Sequence, residues 1–307
     1  MEQRIEIVVG PDGHKCRLDE YLFNRFGGLS KMYLRRAVKE EKCEVNGRLE
    51  NVGYRLRSND LIEIELDLTR ETAMRPQDIP LEIVYEDAHL IVVNKAPGML
   101  VHPTHRDKSG TLLNALTFYL NRKVGSDIVA TPLVTQRSGT IRPGLIHRLD
   151  KETSGLIVVS KNAKAHKRMM ESFRRKSIAK RYVALVEGLV NGDMGVINAP
   201  IGRYGELKHW DVKLGGKPAE TRFKVLNRND DLTLVELEPV TGRTNQLRIH
   251  MASSGHPIVG DHKRGGRAHS RLCLHAWKLI FAHPITRETL SLAADPPRGF
   301  LPFEDLS

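Results

Sequence analysis

The chain is poor in cysteine and lacks any long apolar run. Cys16, Cys43 and Cys273 are the three cysteines in 307 residues, and no two of them form a C-x-x-C pair. That pattern argues against a structural zinc site and fits a reducing compartment. No segment approaches the roughly 20 consecutive apolar residues that cross a bilayer. The first ten residues, MEQRIEIVVG, place Glu2 and Glu6 where a signal peptide would carry a basic start. These absences lead to the expectation of a soluble, cytoplasmic protein with no membrane partner. Neither G-x-x-x-x-G-K-[ST] nor G-x-G-x-x-G opens a helix after a strand, so no loop is a candidate cradle for nucleotide phosphates and no nucleotide cofactor is expected. Fixed-period repeats and long low-complexity tracts are also missing.

What is abundant is positive charge. Lys and Arg number 48 against 37 Asp and Glu, a formal net charge of +11. Such an excess favours a polyanionic partner, nucleic acid first. It is unevenly spread: residues 1–66 hold 12 basic and 12 acidic residues, leaving 36 against 25 in the remainder. Between the two parts lies DLTRETAMRPQDIP, residues 67–80, polar and with two prolines, which reads as a linker. The expected organisation is a small domain over 1–66, the linker 67–80, and a larger domain over 81–307.

In the small domain RLDEYLFNRF and LSKMYLRRAVKEEK have helical periodicity, while CEVNGRLE and DLIEIEL alternate like strands around an Asn46-Gly47 hairpin turn. In the larger part LEIVYED, HLIVVNKAPG, GLIVVSK, KRYVALVEG, TRFKVLNR, LTLVELEPV and LHAWKLIFAHP read as strands, interrupted by the helical patterns TLLNALTFYLNRK and AKAHKRMMESFRRK. Many successive strands with few helices point to an α+β domain on a mostly antiparallel sheet.

On a helix over residues 31–42, Lys31, Arg35, Lys39 and Lys42 fall within one arc, because steps of four and eleven residues nearly close whole turns. Leu34, Ala37 and Val38 occupy the neighbouring arc, so one edge can pack while the next meets phosphates. A solvated basic face is the plainer reading of such a stripe. RLDEYLFNRF, LSKMYLRRAVKEEKCEVNG and NDLIEI, in this order, resemble the S4 domain, a small RNA-binding fold. The resemblance implies RNA contact through the helix that bears Lys31, Arg35, Arg36 and Lys39.

The thirteen histidines are scattered. His102 with His105, or His250 with His256 and His262, lack acidic or cysteine companions at ligand spacing, so no metal site is expected. His147, Asp150 and Ser154 supply the residue types of a hydrolase triad within eight positions, but Ser154 lacks the G-x-S-x-G elbow, and triads are assembled by folding rather than adjacency. Asp150, ahead of Lys-Glu-Thr, could simply cap a turn.

Three separated segments argue for more. They are HRLDKETSG at 147–155, AKRYVALVEG at 179–188, where Lys180 and Tyr182 share one strand face, and TGRTNQLRIH at 241–250, an arginine following a glycine in a turn. In this order they resemble the RluA-type pseudouridine synthases, and VVNKAPGMLVHPT and RLCLHAWKLIFAHP extend the likeness over about residues 80–300. The resemblance implies a cofactor-free isomerisation of uridine in RNA to pseudouridine. It assigns the essential aspartate to Asp150, the active-site aromatic to Tyr182, the arginine paired with the aspartate to Arg243, and displacement of the target base to Arg148.

The chemistry is consistent with these residue types. Breaking the N1–C1′ bond builds positive character at C1′, which a carboxylate can stabilise or capture. A guanidinium in ion-pairing range would offset the desolvation of that carboxylate. The nucleotide must leave its stack, so Tyr182 offers a flat surface and Arg148 can fill the vacated space. Lys180 is a phosphate-neutralising candidate. On AKAHKRMMESFRRK, Met169, Met170 and Phe173 are expected to pack, leaving Lys164, Lys167, Arg168, Arg174 and Arg175 for RNA backbone. Asn245 stands where histidine is common in the third motif; it hydrogen-bonds but does not titrate. The expected partner is RNA, of the 23S-type ribosomal class or a pre-ribosomal particle, bound by a monomer. Transfer RNA, a non-catalytic ribosome assembly factor and a base-releasing glycosidase are the alternatives.

Overall fold

The computed structural model describes residues 2–26, 29–68, 75–104, 107–122, 142–205 and 209–297. Contacts divide the chain into two units, one of residues 1–80 with 102–142, the other of residues 81–101 with 143–307. Segment 102–142, expected in the larger domain, therefore groups with the first unit. Residues 69–74 of the expected linker lie outside the described residues.

The first unit begins with a strand that periodicity did not flag, β1 (Glu2–Val8), followed by helices α1 (Leu18–Arg25) and α2 (Lys31–Lys39), the hairpin β2 (Cys43–Val45) and β3 (Arg48–Leu49), and β4 (Leu61–Asp67). The sheet runs β1-β4-β2-β3, antiparallel throughout. Asn46 and Gly47 both have positive φ (53° and 72°), as a two-residue hairpin turn of this twist requires. Ser30 caps α2 by accepting the Tyr33 N–H. Leu34, Ala37 and Val38 are buried as their spacing predicts. The helix ends at Lys39, short of the expected residue 42, because Glu41 turns into the left-handed region (φ 62°). Lys42 thus leaves the basic arc and pairs with Glu2 at 2.6 Å. Helix α3 (Leu112–Asn121) starts in a capping box between Thr111 and Asn114.

The second unit is built on a ten-stranded sheet. Its elements are β5 (Glu82–Glu86), β6 (Leu90–Lys95), β7 (Gly144–Leu145), β8 (Ser154–Ser160), α4 (Ala163–Arg174), β9 (Ala179–Glu187), β10 (Met194–Asn198), β11 (Ile201–Tyr204), β12 (His209–Val212), β13 (Glu220–Asn229), β14 (Leu232–Pro239), α5 (Gln246–Ser253), β15 (Leu274–Ala282) and β16 (Thr289–Ala293). The strand order is β10-β13-β14-β9-β15-β8-β6-β5, with β16 on β15, β7 on β8, and β11-β12 as a separate hairpin. Every expected strand and both expected helices are present; β7, β10, β11, β12, β16 and α5 are additional. The segment QLRIH, taken with its preceding turn, proves to be helical.

Among the described residues one pairing in this sheet is parallel, between β15 and β8 at His275 with Ser154 and Ala276 with Gly155. After those two positions β15 leaves β8 and pairs with β16 from Lys278 onward. β8 is buried along its whole length, and Ala165 and Met169 of α4 pack with Leu90, Val92, Leu156 and Val158. Met170, expected to pack, is exposed: it follows Met169 by one residue and so points about 100° away around the helix.

Candidate active site

The parallel junction determines where the site lies. Gly155 has φ +111°, and a Cβ there would overlap the Ala276 backbone, so only glycine lets the two strands approach. Ala276 in turn pairs with Tyr182 of β9. The loop leading into β8, HRLDKET, is thereby set beside the face of β9 that carries Lys180 and Tyr182. Arg181, one residue out of phase, projects to the other face and pairs with Glu238 at 2.7 Å.

A cavity of about 590 Å³ opens at this place, lined among others by Arg148, Asp150, Tyr182, Trp210, Arg243 and Arg248. His147, Lys180 and Asn245 also face it. Asp150 is half-buried at its wall, and the turn that presents it is closed by the Thr153 N–H on the Asp150 carbonyl, 3.2 Å. Arg148 is exposed at the rim.

Asp150 and Arg243, expected to pair, are not brought together as an ion pair. The arginine beside the carboxylate is Arg248, whose Nη1 is 4.0 Å from Asp150 Oδ2. Arg243 Nε instead donates to the Pro218 carbonyl at 3.0 Å. The reason is the helix: Asn245 sits in the left-handed region (φ 54°), which Asn tolerates, and α5 starts at Gln246. Buried Gln246 fixes the turn, accepting from Thr241 Oγ1 (2.6 Å) and Arg243 N (3.0 Å) and donating to the Glu220 carbonyl. Arg248, in the first turn of α5, then faces the cavity. Its Nε and Nη2 each donate to buried Asp261 at 2.7 Å.

Burial pushes the Asp150 carboxyl above its ordinary range, against the opposing pull of Arg248, Arg148 and Lys95. Lys95, at the end of β6, is almost fully buried, and its ammonium donates to the carbonyls of Ala96 (2.7 Å), Met99 (2.9 Å) and Lys151 (3.1 Å). The Lys151 contact ties the loop next to Asp150, and burial brings the lysine down to about 8. Burial likewise raises the Tyr182 phenol, with the Asp150 charge adding to it, so the ring faces the cavity as a neutral phenol. Lys180 is lowered by burial and lies 6.0 Å over the Phe173 ring.

His147 is structural. Its Nε2 accepts the Val158 N–H at 3.1 Å, its ring stacks on Phe173 with centroids 4.9 Å apart, and burial followed by the Lys180 charge brings it to about 3. His250 and His256 place ring nitrogens on the carbonyls of Ala199 and Glu187. No group of three His, Cys, Asp or Glu fit to hold a metal occurs among the described residues. Arg248, Asp261, Lys95 and Trp210 were not singled out by the sequence; only the helical continuation of TGRTNQLRIH could have drawn attention to Arg248.

On the first unit, Lys39 is exposed, Arg36 pairs with Glu40 at 2.6 Å, and Arg35 Nε lies 3.5 Å from buried Asp19. Lys31 sits 5.8 Å over the Phe23 ring. On α4, Arg168 is taken up by the Pro284 carbonyl (2.8 Å) and Arg175 by Glu171 (2.6 Å).

Comparison with known proteins gives a consistent result. A family model described as RNA pseudouridylate synthase matches residues 89–253, more than half the chain. An uncharacterised RNA pseudouridine synthase of Bacillus subtilis is 35% identical over 298 residues, 96% of this chain and 95% of its own. The ribosomal large subunit pseudouridine synthase D of Zymomonas mobilis is 36% identical, covering 92% and 90% of the two chains. Among solved structures, human RNA pseudouridylate synthase domain containing 1 superposes with a TM-score of 0.57 at 27% identity, over 72% of this chain and 85% of that one.

Proposed function

The chain belongs to the RNA pseudouridylate synthase family, and from that premise we propose that it converts uridines of large-subunit ribosomal RNA to pseudouridine with Asp150 as the essential carboxylate. The single observation that carries the assignment of Asp150 is its position on the wall of an open cavity, with the Arg248 guanidinium 4.0 Å away. Relatives named as large-subunit ribosomal enzymes support the choice of RNA.

The uridine is turned out of its stack into the cavity, where Tyr182 supplies a flat face and exposed Arg148 takes the vacated space. The N1–C1′ bond breaks and the Asp150 carboxylate stabilises or captures the positive charge at C1′. The uracil turns, C5 bonds to C1′, and the proton at C5 is released while N1 gains one, so no atom or electron is needed from outside. Arg248 keeps Asp150 ionised against its burial, and Lys180 neutralises a phosphate. The first unit acts as an S4-like RNA-binding module through Lys31, Arg35, Arg36 and Lys39 of α2. The protein works as a monomer in the cytoplasm, and the three cysteines, none in a disulfide, support the reducing compartment.

Ribosomal RNA from cells lacking the protein, incubated with it, is expected to gain carbodiimide-dependent reverse-transcription stops with no free uracil released. Asp150→Asn is expected to abolish those stops while RNA affinity changes less than about tenfold, because the carboxylate is not a phosphate ligand. Turnover by that variant would overturn the assignment, and free uracil would make the protein a glycosidase.

A further inference from the structure

Asp261 is a buried carboxylate whose only side-chain role so far is to hold an arginine. Its position is dictated by backbone: its N–H donates to the Ile258 carbonyl (2.9 Å), and its own carbonyl accepts from Arg264 (2.9 Å) and Gly266 (3.1 Å). Ile258 is bridged to Val186 of β9, so this turn is attached to the main sheet. The two carboxylate oxygens take Nε and Nη2 of Arg248, 2.7 Å each, a bidentate grip on one edge of the guanidinium. The remaining nitrogen, Nη1, faces Asp150 Oδ2 at 4.0 Å, beyond hydrogen-bonding range.

We infer that Asp261 is a positioning residue: it ties down the Arg248 fork so that Asp150 receives the guanidinium's charge without being locked into a close bidentate pair with it. A guanidinium offers its donors in a rigid planar fork, so the edge held by Asp261 is withheld from Asp150. An Asp150 gripped at both oxygens would have a lone pair on each oxygen engaged by the guanidinium when the ribose arrives. Held at 4.0 Å, it keeps them for the substrate.

This role rests on the reading of Asp150 as the reacting carboxylate, yet part of it can be measured without turnover. The charged groups acting on Asp150 are Arg248 on α5, Arg148 on its own loop, Lys95 at the end of β6 and Asp261 itself, with the Tyr182 phenol facing it from β9. In Asp261→Asn the fork loses its ionic partner and one carboxylate charge disappears. Arg248 then closes on Asp150, and both changes favour the ionised form of Asp150.

The test is a carbon-13 NMR titration of the Asp150 carboxyl in the full chain, assigned by its loss in Asp150→Asn. Asp261→Asn is expected to lower that titration by about one pH unit or more. It is also expected to reduce kcat at least about tenfold at saturating RNA, with KM changed less than about threefold. In an Arg248→Met background the same Asn substitution is expected to move Asp150 by less than about a third as much, because the effect runs through the guanidinium. A buried pair replaced on both sides by neutral groups retains a folded core, so that double variant is measurable. An unmoved or raised Asp150 titration in folded Asp261→Asn overturns the inference.

Should Asp261→Asn not fold, Asp261→Glu keeps the charge and the fork. Asp150 is then expected within about half a unit of wild type. A folded Glu variant whose Asp150 titrates as in Arg248→Met overturns the inference instead. If the titrations behave as stated while wild-type protein makes no pseudouridine, the functional reading fails and the positioning stands; wild-type activity with unmoved titrations sinks the positioning alone.

Discussion

Ser154 Oγ lies 2.8 Å from His275 Nδ1, and both side chains are buried. Arg271 Nη2 donates to the same oxygen at 2.6 Å, while His275 Nε2 reaches the Ala294 carbonyl at 2.8 Å. A carbonyl can only accept, so Nε2 carries the proton and Nδ1 accepts from the serine hydroxyl. The serine of the HRLDKETSG stretch thus belongs to a hydrogen-bond chain at the β8–β15 junction, where it meets His275 and Arg271, and it is not part of the cavity lining.

That arrangement has a consequence for stability. Burial holds His275 down to about 4 from the usual 6.5, so the folded state resists its protonation while the unfolded chain accepts it. Stability from this group is complete above about pH 6.5 and is lost as pH falls from there toward about 4. For His275 alone the loss at about pH 5 is roughly 2 kcal/mol. Urea midpoints at near pH 7.5 and about pH 5 are expected to differ less in His275→Gln than in wild type. The remaining slope has a share from His147, which shifts in the same direction. An equal slope in the variant would show that His275 does not titrate out of the fold.

The two arginines of the third motif are separable by kinetics. Arg248→Met removes the charge at 4.0 Å from Asp150, so the carboxyl, already raised by burial, rises further. We expect kcat to fall about 100-fold and the acid limb of the kcat–pH profile to move to higher pH, since more of the carboxylate is protonated at a given pH. Arg243→Met, which loses a contact to the Pro218 carbonyl and a cation on the cavity wall, is expected to raise KM a few-fold with the pH profile unmoved. The opposite pattern would restore the sequence-based pairing of Arg243 with Asp150.

This exchange shows where sequence reading stops. HRLDKETSG, the alternation that puts Lys180 and Tyr182 on one face, and the apolar runs of β6, β8, β9, β14 and β15 are local patterns, and each was legible. The choice between Arg243 and Arg248 was not, because it depends on where a helix begins. That start depends on Asn245 entering the left-handed region and on Gln246 reaching the Glu220 carbonyl at the start of β13. Asp261 and Lys95 act through contacts of long sequence separation, Lys95 with Lys151 and Asp261 with Arg248, and no periodicity encodes such pairs. β10, β11 and β12 are not legible for a different reason: MGVIN, IGRY and HWDV are only four or five residues long, too short for a period of two to stand out.

Helix α2 gives a test of RNA contact that is independent of chemistry. Lys31 and Lys39 lie eight residues apart on its basic arc, while Leu34, Ala37 and Val38 anchor the neighbouring arc and Ser30 caps the start. Replacing both lysines by Gln therefore leaves the buried apolar anchors and the cap intact and gives up only the Lys31 contact with the Phe23 ring. If both meet phosphates, the slope of log affinity against log salt is expected to become shallower by about 1.5, as two fewer contacts release counterions. Affinity at low salt is expected to drop while kcat at saturating RNA holds, because the cavity of the second unit is unaltered. A filter-binding or anisotropy series over salt with ribosomal RNA fragments makes the measurement. Unchanged slope and affinity would return α2 to the status of a solvated basic face.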